Sequence, residues 1–96
     1  MINEHQLTRP ILKVLDGSSL GELPTTELRQ ELRRRLPLAS EDLEPLRGRS
    51  DQRIDQIIRN VKSHKRVPGN PFADGLLRDV PRGFRITEKG RAIIER

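Results

Sequence analysis

Apolar residues recur along this chain in two rhythms, and each change of rhythm marks an element. From Glu4 to Leu15, Leu7, Ile11, Leu12, Val14 and Leu15 fall at the three- and four-residue spacing that lines one side of a helix. Pro10 has no backbone N–H and suits only a first turn, so the regular helix is expected from near Thr8, with Asp16-Gly17-Ser18-Ser19 ending it. Leu20 to Leu23 reads as a short edge strand. After Pro24, Thr25 or Thr26 offers an N-cap and Glu27 an acid in the first turn. Leu28, Leu32 and Leu36 then mark a second helix finishing in Arg33-Arg34-Arg35. Acid at its start and base at its end complement the helix dipole, which with solvent is the expected role of the Arg triplet.

Beyond Pro37, Ser40-Glu41-Asp42-Leu43 reads as a capped single turn stopped by Pro45 and Gly48. Ser50 or Asp51 is expected to cap a third helix from about Gln52 to His64. Its Ile54, Ile57, Ile58 and Val61 occupy one narrow sector. The opposite side presents Gln52, Gln56, Arg59 and Ser63, flanked by Arg49, Arg53, Asn60, Lys62 and Arg66. Asp55 is the only acid of this helix. An ordinary solvated face would mix Glu and Lys in i to i+4 pairs, whereas amides and guanidiniums are the groups that pair bidentately with base edges. Residues 65 to 75 are rich in turn formers and read as a loop. Leu76–Val80 and Phe84–Thr87, separated by Pro81-Arg82-Gly83, predict a β-hairpin with Leu77, Phe84 and Ile86 facing the core. Thr87 caps a last helix with Ile93 and Ile94 turned inward, which Gly90 weakens locally.

Composition narrows what these elements can do. Leu, Ile, Val and Phe supply 27 of 96 residues, thirteen of them Leu and eight Ile, which is enough for one thin core. With no Trp or Tyr and only Phe72 and Phe84, base-stacking platforms for single strands are nearly excluded. The net charge of +5 is unevenly spread. Residues 1–46 hold six Arg/Lys against eight Asp/Glu, and residues 47–96 hold thirteen against six. Fifteen of the nineteen cations are Arg, whose planar fork suits phosphates and guanine edges. A basic half on a small domain suggests a nucleic-acid partner. The absence of Cys removes disulfides, thiol chemistry and zinc fingers. No run approaches a membrane span and Met1–His5 has no signal-peptide character, so the expected location is the cytoplasm.

Three helices, the third apolar on one side and Arg/Gln-rich on the other, then a hairpin with an Arg at its tip and a closing helix, form the element order of a winged helix-turn-helix. The expected fold is therefore mainly α with a small β-hairpin. In that architecture the third helix enters the major groove and the wing lies on phosphates or an adjacent groove. Gln52, Gln56, Arg59 and Ser63 are the candidates for the groove, with Arg53 and Asn60 at its edges. Arg49, Lys62, Lys65, Arg66, Arg82 and Arg85 are the candidates for phosphates or the wing's groove, and Ser50 completes the set.

The stretch from Leu23 onward resembles the N-terminal winged-helix domain of Mrr-like, modification-dependent restriction endonucleases. The likeness rests on Glu27-Leu28-Arg29 into Leu32, Leu38-Ala39-Ser40-Glu41-Asp42-Leu43, Arg49 to Val61, and Pro81-Arg82-Gly83-Phe84-Arg85-Ile86-Thr87-Glu88-Lys89-Gly90-Arg91. It implies a single target-recognition module over residues 1–96 that binds double-stranded DNA, with a nuclease domain elsewhere in cis or in trans. The chain departs from the family in two places. Ile57 and Ile58 stand where members often carry an aromatic, and Pro68 to Gly75 lengthens the connection to the hairpin. A free-standing transcriptional regulator, including a homodimeric one, would use the same surface. A protein-binding winged helix would instead keep its polar helix face for solubility. Catalysis is not expected in this chain: His5 and His64 are the only histidines, Ser18 and Ser19 have no base nearby in sequence, and Pro68-Gly69-Asn70-Pro71 is no phosphate loop. Neither a metal nor a cofactor is called for, and no membrane.

Overall fold

The computed structural model describes residues 2–46 and 51–95. A 3-10 turn at Glu4–Leu7 leads directly into α1 (Thr8–Asp16), so Pro10 lies in the first turn, where its missing N–H removes no helical bond. The strand β1 spans Glu22–Pro24, later than the expected Leu20–Leu23. The reason is Gly21, whose φ of +67° turns the chain left-handed and leaves Leu20 outside the sheet and 73% exposed. The helix α2 covers Thr25–Arg35, with Pro24 rather than a threonine at its N-cap. Thr25 turns its hydroxyl elsewhere, as described below.

A second 3-10 turn at Ser40–Leu43 buries Asp42 and leaves Leu43 exposed, the reverse of their hydropathy. Burial pushes the Asp42 carboxyl up. Hydrogen bonds from the Ala39 and Ile2 N–H groups, with the Arg53 charge, more than offset this and hold it below the usual carboxylate value. Asp42 thus ties the N-terminal segment, this turn and the next helix together. The helix α3 runs over Arg53–Ser63. The expected cap at Ser50 lies outside the described residues, and Asp51 is not the cap. Gln52 takes that position, its N–H donating to the Asp55 carboxylate at 2.9 Å.

Residues 65–75 form consecutive turns that close on themselves. Asn70 donates to the Val61 carbonyl at 2.7 Å, satisfying one of the carbonyls a helix end leaves open, while its own Oδ1 accepts from the Phe72 N–H at 2.8 Å. Phe72 meets Phe84 with ring centroids 5.3 Å apart. The hairpin follows as β2 (Leu77–Val80) and β3 (Gly83–Ile86), and α4 (Glu88–Ile94) closes the chain with the Thr87 hydroxyl accepting from the Gly90 N–H.

The three strands form one antiparallel sheet in the order β1-β3-β2, with Leu23 opposite Phe84 and Arg78 opposite Arg85. Alternation along β3 sends Phe84 and Ile86 into the core and Arg85 to solvent. Leu77, Phe84 and Ile86 are buried as expected, and they pack with the apolar sides of α1, α2 and α3 in one cluster. Ile93 and Ile94 pack at its margin, half-buried. The fold is mainly helical with a small antiparallel sheet. No helix among the described residues is long and apolar enough to cross a membrane.

Candidate nucleic-acid interface

Helix α3 is fixed in orientation by a buried charge. Ile54, Ile57, Ile58 and Val61 seat its apolar side on the core, and Asp55, beside Ile54, is buried with them. Its carboxylate accepts from Arg33 at 2.6 and 2.8 Å and from Arg29 at 3.1 Å, both reaching over from α2. Burial raises the Asp55 carboxyl, but the Gln52 N–H and these two guanidiniums outweigh it and keep the group ionised below the ordinary range. Asp55 therefore does not belong to the solvent face. Arg33, expected to serve the dipole and solvent, is a tie between α2 and α3; it also donates to the Gln52 side chain. Arg34 and Arg35 pair with Glu31 on the surface of α2.

With Asp55 turned inward, the outer face of α3 carries a hydrogen-bonded row. Asp51 accepts from Arg59 at 2.6 Å, Arg59 donates to Gln56 at 2.9 Å, and Gln56 donates to Asn60 at 2.8 Å. Ser63, one turn beyond Arg59, is exposed and donates to the Arg59 carbonyl. Gln56, Arg59, Asn60 and Ser63 therefore share one half-exposed ridge. Gln52 and Arg53 do not extend it. Gln52 is drawn towards Arg33, and Arg53 turns to the opposite side, to the Ile2 carbonyl and Asp42.

The hairpin turn is docked on α3 by Lys62. Its ammonium donates to the carbonyls of Val80 and Gly83, both at 2.8 Å, lies 3.2 Å from Asp79, and sits 5.5 Å from the centre of the Phe84 ring. Lys62 thus spends its donors on the hairpin turn. The N–H and hydroxyl of Thr25 hold the same turn from the other side, donating to the Arg82 carbonyl at 2.8 and 3.1 Å. Between these anchors Arg82, the second central residue of the Pro81-Arg82 turn, adopts a left-handed φ of +60°, the sign that a type II turn needs there.

These contacts leave a cleft of about 680 Å³ between the second half of α3 and the hairpin turn. Arg59, Lys62 and Ser63 of the helix line it together with Lys65, Arg82, Phe84 and Thr25. Four cationic and two hydroxyl side chains are among its lining residues, and no carboxylate is. The structure thus brings together Arg59, Lys62, Ser63, Lys65 and Arg82 from two separate parts of the chain. Arg66 is exposed next to Lys65, and among the described residues neither Arg66 nor Arg82 has an ion-pair partner. Arg85 is elsewhere, on the outer sheet face opposite Arg78, where it pairs with Glu22 at 3.1 Å. The candidates Arg49 and Ser50 lie outside the described residues. Thr25, Arg29 and Asp51 were not anticipated as neighbours of this surface, because each acts across elements that no local spacing connects. No group of three His, Cys, Asp or Glu that could hold a metal occurs among the described residues.

None of the protein-family models, curated proteins or solved structures compared with the chain matches it.

Proposed function

We propose that this chain is a winged-helix module that binds double-stranded DNA. The observation that carries the reading is the cleft in which the polar ridge of α3 meets the wing-tip Arg82, with cations and hydroxyls lining it and no carboxylate. A groove with this lining suits a phosphodiester backbone, and the amides beside it suit the edges of base pairs. The assignment of roles is then Gln56 and Asn60 towards the major groove, with Arg59, Ser63, Lys65, Arg66 and Arg82 towards phosphates. Lys62 acts by holding the wing in place. The likeness to the Mrr-like restriction endonucleases extends the proposal to target recognition for a nuclease domain in cis or in trans.

The test is fluorescence anisotropy with a panel of labelled duplexes. Gln56→Ala and Asn60→Ala are expected to narrow the difference between preferred and other sequences by about 1–3 kcal/mol, as for a lost bidentate contact. Arg82→Ala is expected to weaken every duplex alike. Equal losses on every probe for all three variants would remove the groove assignment, and no affinity for any duplex would remove DNA binding. A free-standing regulator would bind palindromic sites as a dimer, which the same panel detects as a concentration-dependent second shift.

A further inference from the structure

Three of the four cations lining the cleft are held by two carboxylates outside it. Asp51 takes Arg59 at 2.6 Å, and Asp79, on β2, takes Lys65 at 2.6 Å and Lys62 at 3.2 Å. Hydrogen bonds from Lys65 and then Lys62, together with their charges, keep the Asp79 carboxyl below its usual range despite partial burial. Each carboxylate has two cations of unequal mobility. Asp51 also lies 3.7 Å from Arg29, which its bond to Asp55 fixes to the scaffold. Asp79 keeps Lys62, which two wing carbonyls immobilise. Arg59 and Lys65 can therefore swing into the cleft without leaving either carboxylate unpaired. Arg82 is already available there for first contact.

We propose that the cleft is a phosphoryl-binding subsite that works by exchange: the ligand's oxygens take Arg59 and Lys65 from Asp51 and Asp79, and these two carboxylates limit its affinity. On the reading given above, on which the natural ligand rests, the phosphoryl group is a backbone phosphodiester of duplex DNA. A free phosphate ester carries the same chemistry.

The experiment compares the full chain with Asp51→Asn and Asp79→Asn, each of which keeps a hydrogen-bond acceptor while removing the charge. Inorganic pyrophosphate is titrated while the amide resonances of Ser63, Lys65 and Arg82 are followed, and a labelled duplex is titrated in parallel. Each variant is expected to bind pyrophosphate about two- to fivefold more tightly, the scale of a half-exposed ion pair. Arg85→Gln, outside the cleft, is expected to change nothing. Tightening for pyrophosphate without any duplex binding would uphold the exchange site and discard the DNA reading. Duplex binding with pyrophosphate affinity unchanged or weakened in the folded variants would overturn the exchange site and leave the DNA reading standing. If one variant fails to fold, the other decides, since the two carboxylates hold different cations.

Discussion

At Gly90 two tendencies oppose each other. Within a helix, alanine is favoured over glycine by about 1 kcal/mol, so local propensity argues for Gly90→Ala as a stabilising change. In the folded chain a Cβ there would lie 2.3 Å from the Leu76 carbonyl oxygen and 2.9 Å from a methylene carbon of Ile86. The backbone oxygen cannot retreat cheaply, because it also accepts from the Thr87 N–H at 3.2 Å. Gly90 is thus the condition for α4 to lie against the start of the hairpin, rather than the local weakness it suggests in sequence. Gly90→Ala is expected to lower stability by about 1–3 kcal/mol, the range for overpacking, in urea denaturation followed by circular dichroism. A gain in stability would show that α4 does not approach this closely. Arg82 is a second residue whose conformation opposes its type, a left-handed non-glycine in the hairpin turn.

Between elements, the decisive interactions are ionic and buried. Asp55 joins α2 to α3, and Asp42 joins the N-terminal segment to the second 3-10 turn and to α3 through Arg53. Removing the carboxylate leaves guanidiniums that already reach water, so the cost falls below the roughly 3–5 kcal/mol of a fully buried pair. Asp55→Ala is therefore expected to loosen α3 and blur the cleft along with it. Both carboxyls are held below their ordinary value of 3.8 in the folded state. A depressed folded pKa means that the stability contributed is complete above the unfolded value and is lost as the pH falls through the folded one. Unfolding is expected to become easier as the pH drops below about 3.8, and Asp55→Asn should flatten that acid limb. An acid limb identical in the variant and the parent would show that Asp55 is not a source of it. At the hairpin turn, Lys62 of α3 and Thr25 of α2 both hold backbone carbonyls, so the hairpin's position is set by the helices and not by its own length.

Over the whole molecule, the charge asymmetry along the chain becomes a spatial one only in part. The radius of gyration of 12.9 Å is close to the roughly 12.5 Å expected for a folded chain of this length. Many Arg and Lys residues are consumed by internal pairs, and the charge available to a polyanion is smaller than the +7 of the second half suggests. The slope of log affinity against log salt should reflect this. Each neutralised phosphate contributes about −0.9, and contacts through Arg59, Lys65, Arg66 and Arg82 would give a slope of about −3 to −4. Measurement of duplex affinity across ionic strengths checks the number. A much steeper slope would show that Arg85, Arg78 or other surface cations also reach the backbone.

The division of labour between sequence and tertiary structure follows from these cases. Helix positions, the hairpin with its inward side chains and the 3-10 turn at Ser40–Leu43 were legible because each depends on spacing within one element. Leu28 with Leu32, Ile54 with Ile57, Ile58 and Val61, and Phe84 with Ile86 repeat at the period of their own backbone. Half of the candidate surface was legible too, since α3 carries its amides and guanidiniums on one side. What the sequence could not decide is which charges are spent internally. Arg33 and Arg34 are neighbours of the same type, yet one bridges two helices and the other stays on the surface. Lys62 and Lys65 have the same side chain, but one is fixed to hairpin carbonyls and the other is held by a single carboxylate, Asp79. Hydrophobic burial follows a periodic pattern that a linear chain records. The pairing of an ion depends on distances across elements, which exist only once the chain has folded.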